Sequence, residues 1–353
     1  MARDPRLQPL YDTLNGFLQR CLVEDRSLLW PEREIWTIDT LEQVRRRFVE
    51  GFIQGRTSFR QKLETQLAGS PPEVWALLAD CFFIYGMPTA TLRFATKKNW
   101  VEWAAGLAGW KLPDEDDPIW DGLRGGFAIT GQKYALKHAQ LRLLVLLALE
   151  VKAAPDRAAR VGGSEALQSA LDEILEAIPL KIDRAYDMRN ALLHLAFPEA
   201  YEPMLSNRDK DAVLRRYAPQ TGELPEDRDA ALRLVREQVA GWFPDLGRPF
   251  DFVQDAREEW KPSPGEVEHA LGEQARRAQD PAVVREPLAG YPAVPDPDLR
   301  RVLATLRLAR NVILSGPPGT GKTFLASRAA RALTEAQPEE TLWWVTLHPS
   351  YSY

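Results

Sequence analysis

The run Gly316-Pro-Pro-Gly-Thr-Gly-Lys-Thr323 fits the pattern G-x-x-x-x-G-K-[ST] in full. It constrains the fold because it works only as a turn between a β-strand and an α-helix. Gly316, Gly319 and Gly321 let the backbone wrap closely and turn successive N–H groups toward phosphate oxygens. A helix starting near Lys322 adds its positive end. Lys322 then reaches the β- and γ-phosphates, and the Thr323 hydroxyl is offered to Mg²⁺. The flanks suit this reading. Residues 311–315 predict a short buried strand, and Phe324, Leu325, Ala329 and Leu333 predict the inner side of a helix. The predicted nucleotide site is therefore Gly316, Pro317, Pro318, Gly319, Thr320, Gly321, Lys322 and Thr323, taking ATP or GTP with Mg²⁺.

Upstream the pattern is helical. Thr40-Leu-Glu-Gln43 predicts a capping box ahead of Val44, Phe48 and Phe52 at helical spacing, and Ser58-Phe-Arg-Gln61 predicts another. Ser70-Pro-Pro-Glu73 predicts a third start, with Pro71 at the first helical position. The stretch 131–152 is apolar nearly all round at its centre, as a buried helix requires. Residues 164–178, 179–195 and 227–239 read as further helices, and 250–260 as a cap. The predicted organisation is a helical domain over 1–218, a helical extension over 219–261, a linker over 262–297 and the start of a P-loop domain over 298–353. The fold class is mainly α, followed by the truncated start of an α/β P-loop domain.

Charge supports that division. The chain has 45 Lys and Arg against 50 Asp and Glu, which excludes coating of nucleic acid by bulk positive charge. The whole net of −5 falls within residues 251–300, where 11 acidic side chains face 6 basic ones. Seven prolines lie between Pro262 and Pro297, as in a connector. The two cysteines, Cys21 and Cys81, have no metal-type spacing. The longest apolar run, residues 143–149, is too short to span a bilayer, and the first residues lack a signal-peptide core. The sequence therefore predicts a cytoplasmic protein with no membrane contact.

Residues 341–347 predict a second strand, followed by His348-Pro-Ser-Tyr-Ser-Tyr353. A hydrolytic P-loop enzyme also needs an acidic residue on a further strand to hold Mg²⁺ and orient water. No such strand is evident. The chain reads as a fragment or truncated product that binds nucleotide without turning it over, and as an NTPase only at full length.

Residues 311–353 resemble the McrB-type AAA+ family, the NTPase subunit of modification-dependent restriction systems. The likeness rests on the GPPGTGKT loop and on Thr346-Leu-His-Pro-Ser-Tyr-Ser-Tyr353 after the next strand. The helical region is similar to the long N-terminal domains fused to such motors, at Ser58-Phe-Arg-Gln-Lys-Leu63 and at Leu193-His-Leu-Ala-Phe-Pro-Glu-Ala-Tyr-Glu-Pro203 with Ser206 and Lys210. The resemblance implies a ring, hexameric at full length, that binds GTP or ATP between subunits. It also implies a DNA target, in known members a modified cytosine, recruitment of a McrC-type nuclease, and a role in antiviral defence. The length and helical character of the N-terminal region depart from the compact DNA-reading domain of those members. A MoxR-like remodelling ATPase is the alternative motor.

Three weaker constellations remain. Arg45, Arg46 and Arg47, with Arg56, Arg60, Lys62, Arg93, Lys97 and Lys98 near Trp100 and Trp103, form the one basic stretch and a candidate nucleic-acid face. The alternative is a solvated helix face. Arg189-Asn-Ala-Leu-Leu-His194 matches the R-x₄-H pattern of HEPN-type RNases, with His194 as base and Arg189 on phosphate. The leucines around it favour a packed histidine. Glu150-Val-Lys152 with Asp121 would suit a metal-dependent nuclease only on a strand, and a helix is predicted there. His138 and His269 have no partners at catalytic spacing and read as surface residues.

Overall fold

The computed structural model describes residues 3–51, 57–130, 134–180, 183–243, 246, 248–261, 299, 301–303, 305–306, 312–315, 322, 325–326 and 329–330. Two compact units divide the chain, 1–261 and 262–353.

The first unit is helical. A 3₁₀ turn, Pro5–Leu7, leads into α1, Gln8–Gly16, which widens into a π-helical stretch, Phe17–Val23. Then follow α2 (Ile38–Val44, continued as π-helix to Val49), α3 (Phe59–Gln66), α4 (Pro72–Gly86), α5 (Phe94–Ala108) and a short α6 (Asp121–Arg124). Beyond these come α7 (Lys137–Ala153), α8 (Arg157–Gly162), α9 (Ser164–Ala177), α10 (Tyr186–Ala196), α11 (Asn207–Thr221), α12 (Arg228–Ala240), α13 (Phe252–Asp255) and α14 (Arg257–Trp260). Among the described residues no helix is long and apolar enough to cross a membrane.

The starts obey local chemistry. The Ser58 side chain accepts from the Gln61 N–H, while Gln61 accepts from the Ser58 N–H, so the predicted box forms. The box predicted at Thr40 does not. Thr37 caps α2 instead, its hydroxyl accepting from the Thr40 N–H, and Thr40 lies inside the helix. Its first turn also holds Asp39, which favours that start through the helix dipole. At α4 the cap is Pro71 and the first helical residue is Pro72, one position later than predicted.

Two helices carry the core. Every residue of α4 from Val74 to Gly86 is buried, and α5 packs along it. Leu141, Leu143, Leu144, Val145, Leu147, Ala148 and Val151 of α7 are buried on all sides among α2, α4, α9 and the Phe17–Val23 stretch. A second apolar cluster gathers Met204, Val213, Tyr217, Leu232, Val235, Phe250, Phe252 and Trp260. It takes in residues of α11, α12, α13 and α14. Apolar α11 residues pack on α12 and α14 instead of the larger core.

Candidate functional site

In the second unit, Leu299, Val302 and Leu303 are buried with Ala329. Leu306, Val312, Leu314 and Leu325 pack against them. The helical residues before the glycine loop thus share an apolar cluster with helical residues after it. Lys322 is helical, as the pattern requires. Residues 312–315 do not form the predicted buried strand, and Ile313 is 94% exposed. A buried parallel strand needs paired neighbours and helices on both faces. Among the described residues nothing pairs with this stretch. Gly316, Pro317, Pro318, Gly319, Thr320, Gly321 and Thr323, the connector 262–297, His269 and the strand and tail at 341–353 lie outside the described residues.

Within the candidate basic face, several cations have protein partners of their own. Lys97 is buried and donates to the Gly125 carbonyl, and burial pulls its ammonium down to about 8. Lys98 lies 3.4 Å from Glu102 with its ammonium 5.2 Å from the Trp120 ring centre. Arg45 is held by Glu42 and Glu50, and Arg47 donates to the Ala68 carbonyl and the Ser70 hydroxyl. Arg60 lies over Trp100 and Trp103, at 4.5 and 5.1 Å from their centres, and donates to Asn99. Of the triple arginine, Arg46 and Arg47 are exposed and Arg45 is half-buried. The tryptophans that suggested base stacking are occupied by these cations and by Phe59 and Phe82. Arg56 lies outside the described residues.

Arg189 and His194 sit on α10, both buried, but they do not form a shared site. The Arg189 guanidinium donates to both oxygens of Asp172, at 2.9 and 2.8 Å, and also to Asp229 and Asn190. All three of its nitrogens thus donate to protein partners. Burial holds the His194 imidazole down at about 4, so the ring is neutral. In this arrangement Arg189 ties α10 to α9 and α12. Glu150 and Lys152 lie on helix α7, not on a strand. Glu150 accepts from Arg160, and Lys152 donates to the Cys21 and Leu22 carbonyls beside Asp25. Asp121 pairs with Arg124 on α6. Among the described residues no His, Cys, Asp and Glu cluster could hold a metal ion. His138 is partly buried, 3.6 Å from Asp183, and not a surface residue.

Several structural residues were missed by the sequence reading. Asp229, Lys210, Arg189, Asp172, Asn190 and Asn207 form one buried polar network across α9 to α12. Arg236 pairs with Glu202, both buried. Asp229, Leu232, Arg236 and Val239 share the spacing of one helical stripe, and all four are buried. Charged residues inside an apolar stripe were the readable signal. Asp80 is likewise fully buried, accepting from the Ser27 hydroxyl, the Leu28 and Leu29 N–H groups and the Trp36 indole.

Residues 311–353 match the AAA domain of the dynein-related subfamily. A 60-residue part of the chain is 42% identical to the type IV methyl-directed restriction enzyme EcoKMcrB subunit of Escherichia coli (strain K12). That match covers 17% of this chain and 13% of the relative's length. No solved structure matches the chain significantly. The C-terminal segment is thus similar to the start of an AAA P-loop domain, McrB-like in sequence, and it follows a mostly helical unit.

Proposed function

We propose that this chain belongs to an McrB-like AAA+ ATPase that serves DNA restriction. The observation that carries the reading is the 42% identity to the restriction subunit, joined to an intact GPPGTGKT loop. The backbone N–H groups from Gly316 to Gly321 cradle the phosphates, with Pro317, Pro318 and Thr320 shaping the turn. Lys322 binds the β- and γ-phosphates of ATP or GTP, and Thr323 holds Mg²⁺. The helical state of Lys322 supports this reading, because the pattern requires a helix to begin there. The helical unit acts as the recognition part, with DNA as its target. Ring assembly and a McrC-type nuclease complete the full-length machine.

The test is direct. Fluorescent ATP and GTP analogues are titrated into the chain with and without Mg²⁺, beside Lys322→Ala. Saturable, Mg²⁺-dependent binding that the substitution abolishes is the expected result. Retention on methylated against unmethylated DNA then tests recognition. Absence of nucleotide binding removes the motor reading, and absence of DNA retention removes the recognition role.

A further inference from the structure

A cavity of about 280 Å³ opens between the start of α1, the loop at residues 125–127, α10 and residues 248–254. Its walls set the apolar Leu10, Tyr11, Phe127, Pro203 and Phe250 beside charged residues. The charges nearby satisfy one another. Asp4 pairs with Arg6 at 2.6 Å, and Arg248 pairs with Asp255 at 2.5 Å. Arg236 is taken up by Glu202 and the Phe250 carbonyl.

One polar group of the lining is not satisfied. His194 is 4% exposed, and its Nδ1 lies 2.8 Å from the Tyr201 carbonyl oxygen. A carbonyl can only accept, so Nδ1 carries the proton and Nε2 is left with its lone pair. Nε2 has no hydrogen-bond partner. Tyr201 is not part of the cavity wall, whereas His194 is, and Nε2 points away from that carbonyl. The Phe127 ring centre lies 4.8 Å from the imidazole at 51°, and the Tyr11 ring meets it edge-on at 6.1 Å. A buried acceptor without a donor is costly, and a ligand that supplies the donor recovers that cost.

We propose that this cavity binds a small uncharged aromatic molecule bearing one O–H or N–H donor, with its ring against Phe127 and its donor on His194 Nε2. The volume suits one or two rings, at the low end of small-molecule sites. Asp4, Arg6, Arg236 and Arg248 are held in ion pairs, and the Asp251 carboxylate accepts from the Val253 and Gln254 N–H groups, so the lining charges are already engaged, which favours an uncharged ligand. The occupant touches Leu10 of the larger apolar cluster and Phe250 of the smaller one, and so ties the two together. This inference is independent of the nucleotide reading.

Phenol is the probe and anisole, which keeps the ring and loses the donor, the control. Both are titrated into the chain carrying ¹⁵N-labelled histidine. The expected result is a saturable shift of the His194 Nε2 resonance with phenol, and phenol affinity at least ~10-fold above anisole. His194→Phe should bring phenol down to the anisole level. Equal affinity of the two probes overturns the proposal, as does no shift at His194. Unchanged phenol binding in His194→Phe also overturns it. The comparison of the two probes on the unsubstituted chain decides the matter even where that variant does not fold.

Discussion

The Lys210 ammonium lies 2.6 Å from the Asp229 carboxylate, and both side chains are almost wholly buried. Arg189 contacts the other oxygen of the same carboxylate and reaches on to Asp172. One aspartate on α12 therefore balances a lysine from α11 and an arginine from α10. These helices belong to both apolar clusters, so the network ties the extension to the main core.

Removing the central charge should be severe. Asp229→Asn leaves two buried cations facing one exposed-side carboxylate, and breaking such a cluster costs about 3–5 kcal/mol. Burial pushes the Asp229 carboxyl up, but Lys210 and Arg189 outweigh it and hold the group below its ordinary value. Its stabilisation is thus present above that ordinary value and lost as pH falls through the folded one. Urea unfolding at pH 7 and near pH 3 checks this: the gap between wild type and variant should narrow in acid.

How much of this was legible in the sequence differs by element. The helices were, because α4 and α7 are long apolar runs and Ser58 with Gln61 is a complete capping signal. The α2 start was misplaced by three residues because Thr37 and Thr40 are equivalent caps on paper, and only packing decides between them. The basic stretch misled for a similar reason. A lysine reads as surface, yet Lys97 is buried and donates to the Gly125 carbonyl, a partner far away in sequence. The glycine loop is legible by pattern alone, and its glycines lie outside the described residues. The Asp229 network and the His194 cavity depend on contacts between distant helices, which one sequence does not reveal.

Gly126 is fixed by a close approach. A Cβ there would fall far inside contact distance of the Thr89 carbonyl and 2.6 Å from the Ala90 nitrogen. The neighbouring bonds, Ala90 N–H to the Ala128 carbonyl at 2.9 Å and Phe127 N–H to the Pro88 carbonyl at 3.0 Å, hold both strands of backbone in place. Gly126→Ala should lower stability by about 1–3 kcal/mol, since backbone must move to admit the methyl group. A thermal melt against Gly106→Ala, where the added methyl meets nothing within 4 Å, isolates the effect.

Lys97 should leave a signature in alkali. Its ammonium is pulled down to about 8 by burial, below the unfolded value. Between those values the unfolded chain binds more protons than the folded one, so this residue makes stability rise with pH. Lys97→Met should remove that rise between pH 8 and pH 10. Denaturant midpoints across this window test it, and an unchanged slope in the variant would sink the assignment.

Asp80 and His194 should mask one another in mild acid. Burial raises the Asp80 carboxyl to about 6, against the opposing bonds from Trp36, Leu28, Ser27 and Leu29. A folded value above the unfolded one means stability that is full in acid and lost as pH rises toward 6. Burial lowers the His194 imidazole to about 4. That is the reverse case: stability is full above the unfolded value and is lost as pH falls through the same interval. Each effect is on the order of 3 kcal/mol across its range. The contributions of these two residues to wild-type stability should therefore nearly cancel between pH 4 and pH 6. Asp80→Asn, although less stable throughout because its amide nitrogen faces donors, should gain stability as pH rises through this range. His194→Phe should lose it. Denaturant unfolding at half-unit pH steps resolves the two slopes, and parallel curves for both variants would contradict the pairing.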